Sequence, residues 1–260
     1  MIIKCNKSDE KRILEYIGKD YGKCAYLYID LMKYGFDNEN VRLWMDVEGE
    51  EIKLVVLNYY TGVHLFSREN EFDVDGIVEV LKEIKPSLIC GMSYTIEKVR
   101  EKMAGYEYEE GVVGQLRDIT DIDTEGCYKA SLEEIKELAA VLAEDDALGK
   151  PYGFDLLYKQ LAERYTENFG RNYIYRDNGN IVATASTYAE EAGLSVISGV
   201  FTDPEYRGKG LSKKVLAAIC KDLKADGFDV MSYYYIPSAH KVHNFVGFED
   251  LGIWAKLIRE

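Results

Sequence analysis

The residues whose types and spacing best suit chemistry are Arg207-Gly208-Lys209-Gly210. Two glycines let a backbone turn sharply and come close to a ligand. The apolar run Leu194–Phe201 precedes them and reads as a buried strand. Apolar residues at Leu211, Val215, Leu216, Ile219 and Leu223 follow at helical spacing, leaving Lys213, Lys214, Lys221 and Lys224 for solvent. The first-turn amides of a helix have no intrahelical partner, and the helix dipole is positive there. Strand, glycine loop and helix start together predict an anion site suited to phosphate. Metal chemistry has no comparable support. The three histidines and the five cysteines (Cys5, Cys24, Cys90, Cys127, Cys220) show no ligand spacing, and the thiols read as reduced.

The rest of the chain must position that loop. At 260 residues and 47% hydrophobic content it supports one large domain or two small ones. The net charge of −14 disfavours nucleic acid and anionic membrane as partners and tolerates a cationic amine. The N-terminus has no signal-peptide pattern and no apolar run is long enough to span a membrane, so a cytoplasmic location is expected.

In the first half, helical spacing marks Ser8–Gly18, Val74–Ile84 and Thr95–Met103, and strands are expected at Val41–Val47, Glu51–Asn58, Gly62–Phe66, Leu88–Gly91 and Glu107–Leu116. Asp118–Gly126 is acidic with no apolar period and reads as a linker. Ser131-x-x-Glu134 is a capping box opening a helix, the stretch 149–153 reads as a loop, and Phe154–Tyr165 as a second helix. Asp177-Asn-Gly-Asn180 is a hairpin turn between strands Tyr173–Tyr175 and Ile181–Tyr188. After the glycine loop and its helix come strand Phe228–Ile236, a short helix at Ser238–Phe245 and strand Gly252–Ile258.

The stretch Arg207-Gly208-Lys209-Gly210-Leu211-Ser212 resembles the pyrophosphate loop of the GNAT acyltransferases, Q/R-x-x-G-x-G/A, with Ser212 in place of the final small residue. Val246-Gly-Phe-Glu-Asp-Leu-Gly252 resembles the late Leu-Gly-Phe stretch of that family, and the element order over 128–260 is similar to its fold. In the first half, Gly105-Tyr106-Glu107 falls where Gly247-Phe248-Glu249 falls in the second. The expected architecture is therefore α/β (α+β) and tandem GNAT-like, with a mixed, mainly antiparallel sheet flanked by helices in each half. Residues 1–125 are expected to be a degenerate repeat, and 126–260 the N-acetyltransferase domain. The connection Ser67–Asp75, where a first-half phosphate loop belongs, has no glycine and carries Glu69, Glu71, Asp73 and Asp75, which would repel pyrophosphate.

The resemblance implies acetyl transfer from acetyl-CoA, without metal, to a primary amine on a small molecule or peptide. It places pyrophosphate on the amides from Arg207 through Gly208, Lys209, Gly210, Leu211 and Ser212 to Lys213. It places the pantetheine along Val200, Phe201 and Thr202. His243 stands where many members have a tyrosine acid, and reads either as proton donor or as an exposed helix residue. Tyr233, Tyr234 and Tyr235 are alternative phenols, with Tyr235 the candidate carried forward. Glu190 and Glu191 are the nearest carboxylates for a base acting through water, with Glu191 preferred, or are solvated turn residues. Two other readings stand beside this one. One is a coenzyme-A-binding pseudoenzyme acting as sensor or scaffold. The other is an aminoacyl-tRNA-dependent Fem-like transferase, against which the acidic balance counts.

Overall fold

A computed structural model describes all residues except 147, 149, 151 and 152. Most of the loop expected over 149–153 therefore lies outside the described residues. In chain order the elements are β1 (Ile2–Lys4), α1 (Glu10–Ile17), α2 (Ala25–Tyr34), β2 (Val41–Glu48), β3 (Glu51–Tyr59), β4 (Gly62–Phe66), α3 (Val74–Ile84), β5 (Leu88–Met92), α4 (Ser93–Arg100) and β6 (Tyr106–Leu116). There follow β7 (Cys127–Lys129), α5 (Leu132–Ala143), α6 (Phe154–Thr166), β8 (Asn172–Asp177), β9 (Asn180–Glu191), β10 (Leu194–Thr202), α7 (Leu211–Ala225), β11 (Asp229–Tyr234), α8 (Pro237–Val246) and β12 (Phe248–Arg259). Among the described residues no helix is long and apolar enough to cross a membrane.

The chain divides into two compact units, Met1–Val113 with Leu251–Glu260, and Gly114–Asp250. The boundary falls ahead of the acidic stretch Asp118–Gly126 instead of within it. That stretch is not a free linker. Ile119 and Ile122 pack on the core of the second unit, Thr120 N–H donates to Val246 O, and Lys214 pairs with Asp123 at 2.9 Å. Two isoleucines suffice to dock a segment that has no period.

In the first unit the strand order is β1-β2-β3-β4-β5-β12-β6, antiparallel except for the parallel β4–β5 pair. One face carries the core of α1 and α2 (Ile13, Ile17, Leu27, Leu31), the other that of α3 and α4 (Ile77, Leu81, Ile96, Val99). In the second unit the order is β11-β10-β9-β8-β7, again antiparallel except for the parallel β10–β11 pair. Here α7 and α8 cover one face (Val215, Leu216, Val246) and α5 and α6 the other (Ile135, Leu138, Leu161). The two units thus repeat one topology, a mixed and mostly antiparallel sheet between helices.

Local chemistry sets the element ends. Ser131 and Glu134 close the expected capping box on α5. Asn178 (φ 48°) and Gly179 (φ 85°) form the β8–β9 turn with two positive φ values, as the Asn-Gly pair demands.

Candidate functional site

The site is built where β10 runs out of partners. β10 and β11 pair in parallel from Leu194–Asp229 to Ile197–Ser232. There the ladder stops, although β10 continues to Thr202 and β11 to Tyr234. On its other edge β10 carries a bulge. Ser198 faces Ser186 and Phe201 faces Thr184, so Gly199 and Val200 together oppose Ala185. Gly199 takes φ +55°, which suits glycine at such a bulge. Half-exposed Ser198, Gly199 and Val200 therefore present backbone N–H and C=O groups on the β11 side with no strand opposite.

The chain then turns through Asp203–Tyr206 into the glycine loop. Asp203 accepts from Glu205 N–H at 2.8 Å, and Arg207 Nε donates to Thr202 O at 3.2 Å, tying the loop back to the strand end. Gly208 and Gly210 adopt φ +81° and +79°, and a Cβ on either would meet nothing within 4 Å. Packing therefore does not require these glycines. The left-handed backbone does, and it leaves open space above the loop. Gly210 caps α7 without a side chain, and the first bonds to its carbonyl come from Lys213 and Lys214 N–H. The amides of Leu211 and Ser212 lie ahead of those bonds and have no helical carbonyl to reach. Lys209 Nζ sits 4.2 Å over the Tyr206 ring, and Lys213 Nζ lies 3.5 Å from the ring of Phe245 on α8. The loop is thus cationic at a helix start in a chain of net charge −14.

The expected proton-transfer residues are not brought together here. His243 is neither exposed nor set up as a proton donor. It is 3% exposed, packed between the rings of Tyr234 and Phe248. Its Nδ1–H donates to Ala239 O at 2.8 Å, which leaves Nε2 to accept from the Ser232 hydroxyl at 2.9 Å. Burial lowers its pKa from 6.5 to about 4, so at neutral pH the ring is uncharged. Glu191 faces Leu194, five residues before Gly199. At about 3.3 Å per residue that is roughly 16 Å from the bulge. Glu190 is buried in an ion pair with Arg171. Tyr235 is half-buried just past the end of β11, and Tyr233 shares its face of the strand. Tyr234 takes the other face and donates to Asp250 Oδ1 at 3.0 Å; burial first, then that carboxylate, pushes its phenol up. Of the residues singled out for proton transfer, Tyr233, Tyr234 and Tyr235 are the ones that directly follow the last β10–β11 pair, Ile197–Ser232.

Residues 132–248 match the model of the acetyltransferase (GNAT) family. These residues are a GNAT acetyltransferase domain. Solved structures share the fold over nearly the whole chain. A GCN5-related N-acetyltransferase from Sphaerobacter thermophilus is 17% identical with a TM-score of 0.65, covering 100% of this chain and 96% of that one. An acetyltransferase from the GNAT family of Colwellia psychrerythraea is 12% identical with a TM-score of 0.61, covering 100% of both chains. A tandem GNAT protein from the clavulanic acid biosynthesis pathway is 11% identical with a TM-score of 0.55, covering 99% of this chain and 97% of that one. At these identities the likeness is one of fold alone, and it extends to the two-half architecture. No curated protein matches the chain.

The loop of the GNAT domain has no equivalent in the first unit. There Asp73 caps α3, its carboxylate accepting from Gly76 N–H at 3.0 Å and so occupying the helix start itself. The matching strands β4 and β5 stay close for one residue past their last pair, His64–Cys90, since a Cβ at Gly91 would lie 2.6 Å from Leu65 O.

The buried imidazole has a measurable consequence. The unfolded chain protonates His243 near pH 6.5, whereas the folded domain does so only near pH 4. Between those values the unfolded state binds more protons. Stability is therefore full above pH 6.5 and falls as pH drops through the window, by on the order of 3 kcal/mol at its foot. His243→Gln should lack this slope. Urea unfolding from pH 7 to 4 checks it, and equal slopes in parent and variant would contradict the buried neutral ring.

Proposed function

We propose that this protein is an acetyl-CoA-dependent N-acetyltransferase whose GNAT domain acetylates a primary amine, and that the first unit does not bind acetyl-CoA. The observation that carries the reading is the glycine loop at the start of α7, set beside a parallel strand pair that parts after Ile197–Ser232. The residues present suit the cosubstrate. Amides from Gly208 to Ser212, ahead of the first helical bond from Lys213 N–H, are the donors offered to a pyrophosphate, with the side chains of Arg207, Lys209 and Lys213 adding charge. The open edge of β10 at Val200, Phe201 and Thr202 offers backbone groups to a pantetheine chain. Phe201 does so through its backbone only, because its side chain is core.

When bound, acetyl-CoA supplies the activated acetyl thioester. The chain's own part is to hold and polarise. An N–H on the open edge near the bulge can donate to the thioester carbonyl oxygen, a bond that strengthens as charge grows there. The amine must lose a proton, and with Glu190 tied to Arg171 and Glu191 far from the bulge, that proton leaves through water. The phenol of Tyr235 is the group beside the opening best placed to return a proton to the departing thiolate. Among the described residues no cluster of three His, Cys, Asp or Glu could hold a metal ion.

Binding tests this reading directly. Calorimetry with acetyl-CoA should give a stoichiometry near one. Hydrogen exchange should show protection around Val200–Val215 and little around Gly62–Val80, because only the unit that binds gains stability. A stoichiometry near two, with protection in both stretches, would overturn the assignment of the first unit. No binding at all would overturn the function.

A further inference from the structure

Seven buried side-chain polar atoms among the described residues lack a hydrogen-bond partner, and three of them fall in one patch: Asn172 Oδ1, Thr184 Oγ1 and Ser186 Oγ. The three residues are 2%, 0% and 1% exposed. Strand register puts them side by side. Asn172, Ser186 and Ser198 form one row across β8, β9 and β10, and Ile174, Thr184 and Phe201 form the next. Ile174 and Phe201 belong to the core beneath α5 and α6, so both rows face those helices. The patch also touches the bulge, since a Cβ on Gly199 would lie 3.3 Å from Ser186 Oγ.

Buried polar groups without partners destabilise a fold, and an apolar residue of similar shape serves better. Three such groups on neighbouring positions, beside the point where the parallel strands part, indicate a partner that the protein alone does not supply. The chemistry of the patch narrows what that partner is. An amide oxygen accepts only, and the two hydroxyls both donate and accept. The neighbours in these rows are Ile174, Ser198 and Phe201, with no charge among them. An ammonium or carboxylate placed here would be buried without compensation. A hydroxyl or an amide N–H would be satisfied.

We propose that Asn172, Thr184 and Ser186 form an acceptor subsite that takes a neutral hydrogen-bonding group, hydroxyl or amide, carried next to the reacting amine. This rests on the acetyl-transfer reading above. It names as acceptors amino alcohols or amino amides in preference to plain alkylamines.

Thiol release from acetyl-CoA is measured with ethanolamine, glycinamide and propylamine. The first two arms distinguish hydroxyl from amide, and the third lacks both. At least one of the first two should exceed propylamine in kcat/KM by on the order of tenfold, the worth of about one well-placed hydrogen bond. Thr184→Val and Ser186→Ala should shrink that ratio. In the free protein, Thr184→Val should leave the urea midpoint unchanged or raise it, because no protein partner is lost. Equal turnover of the three amines, zero included, overturns the subsite. So does a clear drop in the Thr184→Val midpoint, which would mean that a structural buried water already satisfies the hydroxyl. Acetyl-CoA binding by calorimetry separates the two failures, since loss of the subsite leaves it intact and failure of the acetyl-transfer reading does not.

Discussion

Gly210→Glu should weaken acetyl-CoA binding at least about a hundredfold, the loss expected when donors aimed at a phosphate meet a carboxylate instead. Gly210 sits at φ +79° with nothing within 4 Å of its Cβ position. A Cβ there enters open space, and a carboxylate carried on it stands at the start of α7, beside the amides of the proposed phosphate site. The left-handed backbone adds a cost of about 1–2 kcal/mol to folding for any residue with a Cβ. Gly210→Ala carries that same cost without the charge, and should bind acetyl-CoA far better than Gly210→Glu. Calorimetry on both variants, each checked for folding by circular dichroism, decides the matter. Equal affinity of the Glu variant and the parent would remove the loop from the site.

Arg171→Met should be the most destabilising single change in the GNAT domain among those considered, costing about 3–5 kcal/mol. The guanidinium is 7% exposed and binds Glu190, 6% exposed, through Nε and Nη2, with Nη2–Oε2 at 2.6 Å. It also reaches Asp222 at 2.6 Å and Asp226 at 2.9 Å on and beyond α7. Removing it strands a buried carboxylate whose remaining partner is the Thr187 hydroxyl at 2.7 Å. Because the penalty comes from the orphaned charge, Arg171→Met with Glu190→Leu should recover much of the loss. Urea unfolding of parent, single and double variants measures this. A double variant no more stable than the single one would place the energy in packing around Arg171 instead.

The same two residues show where sequence reading reaches its limit. Glu190 next to Glu191 reads as a turn pair available to act as base, because nothing in the sequence ties it to an arginine nineteen positions earlier. Register does so, since β9 runs on past its expected end at Tyr188 to Glu191. The strand, glycine loop and helix start at Leu194–Ala225 were legible because their signal is local: glycine φ, helix start and apolar period all lie within a few tens of residues. Val74–Ile84 was legible to the residue for the same reason. His243 was misplaced because exposure of a helix residue depends on what packs over it, here Tyr234 and Phe248, and helical spacing does not reveal that. The bulge did leave a sign, a glycine at 199 in the interior of the strand Leu194–Thr202. The patch of Asn172, Thr184 and Ser186 left none, because polar residues at period two, as at 184 and 186, look like a solvent face until helices cover them.

The placement of residues 251–259 bears on how the protein is made. In the first unit this stretch lies between β5 and β6 and pairs with β5 from Trp254–Met92 to Ile258–Leu88. Trp254, Ala255 and Leu257 are buried in that unit. During translation, therefore, the first 113 residues leave the ribosome with a gap between β5 and β6, one place in from the end of their sheet. The whole GNAT domain must be synthesised before the filling strand arrives. At roughly 5–20 residues per second that wait lasts on the order of ten seconds. For that interval the edges of β5 and β6 are open to pairing with other chains, a hazard for exposed strands. Folding order is thus inverted relative to the usual N-terminal-first rule. A nascent chain stalled short of residue 251 should be the species that chaperones hold.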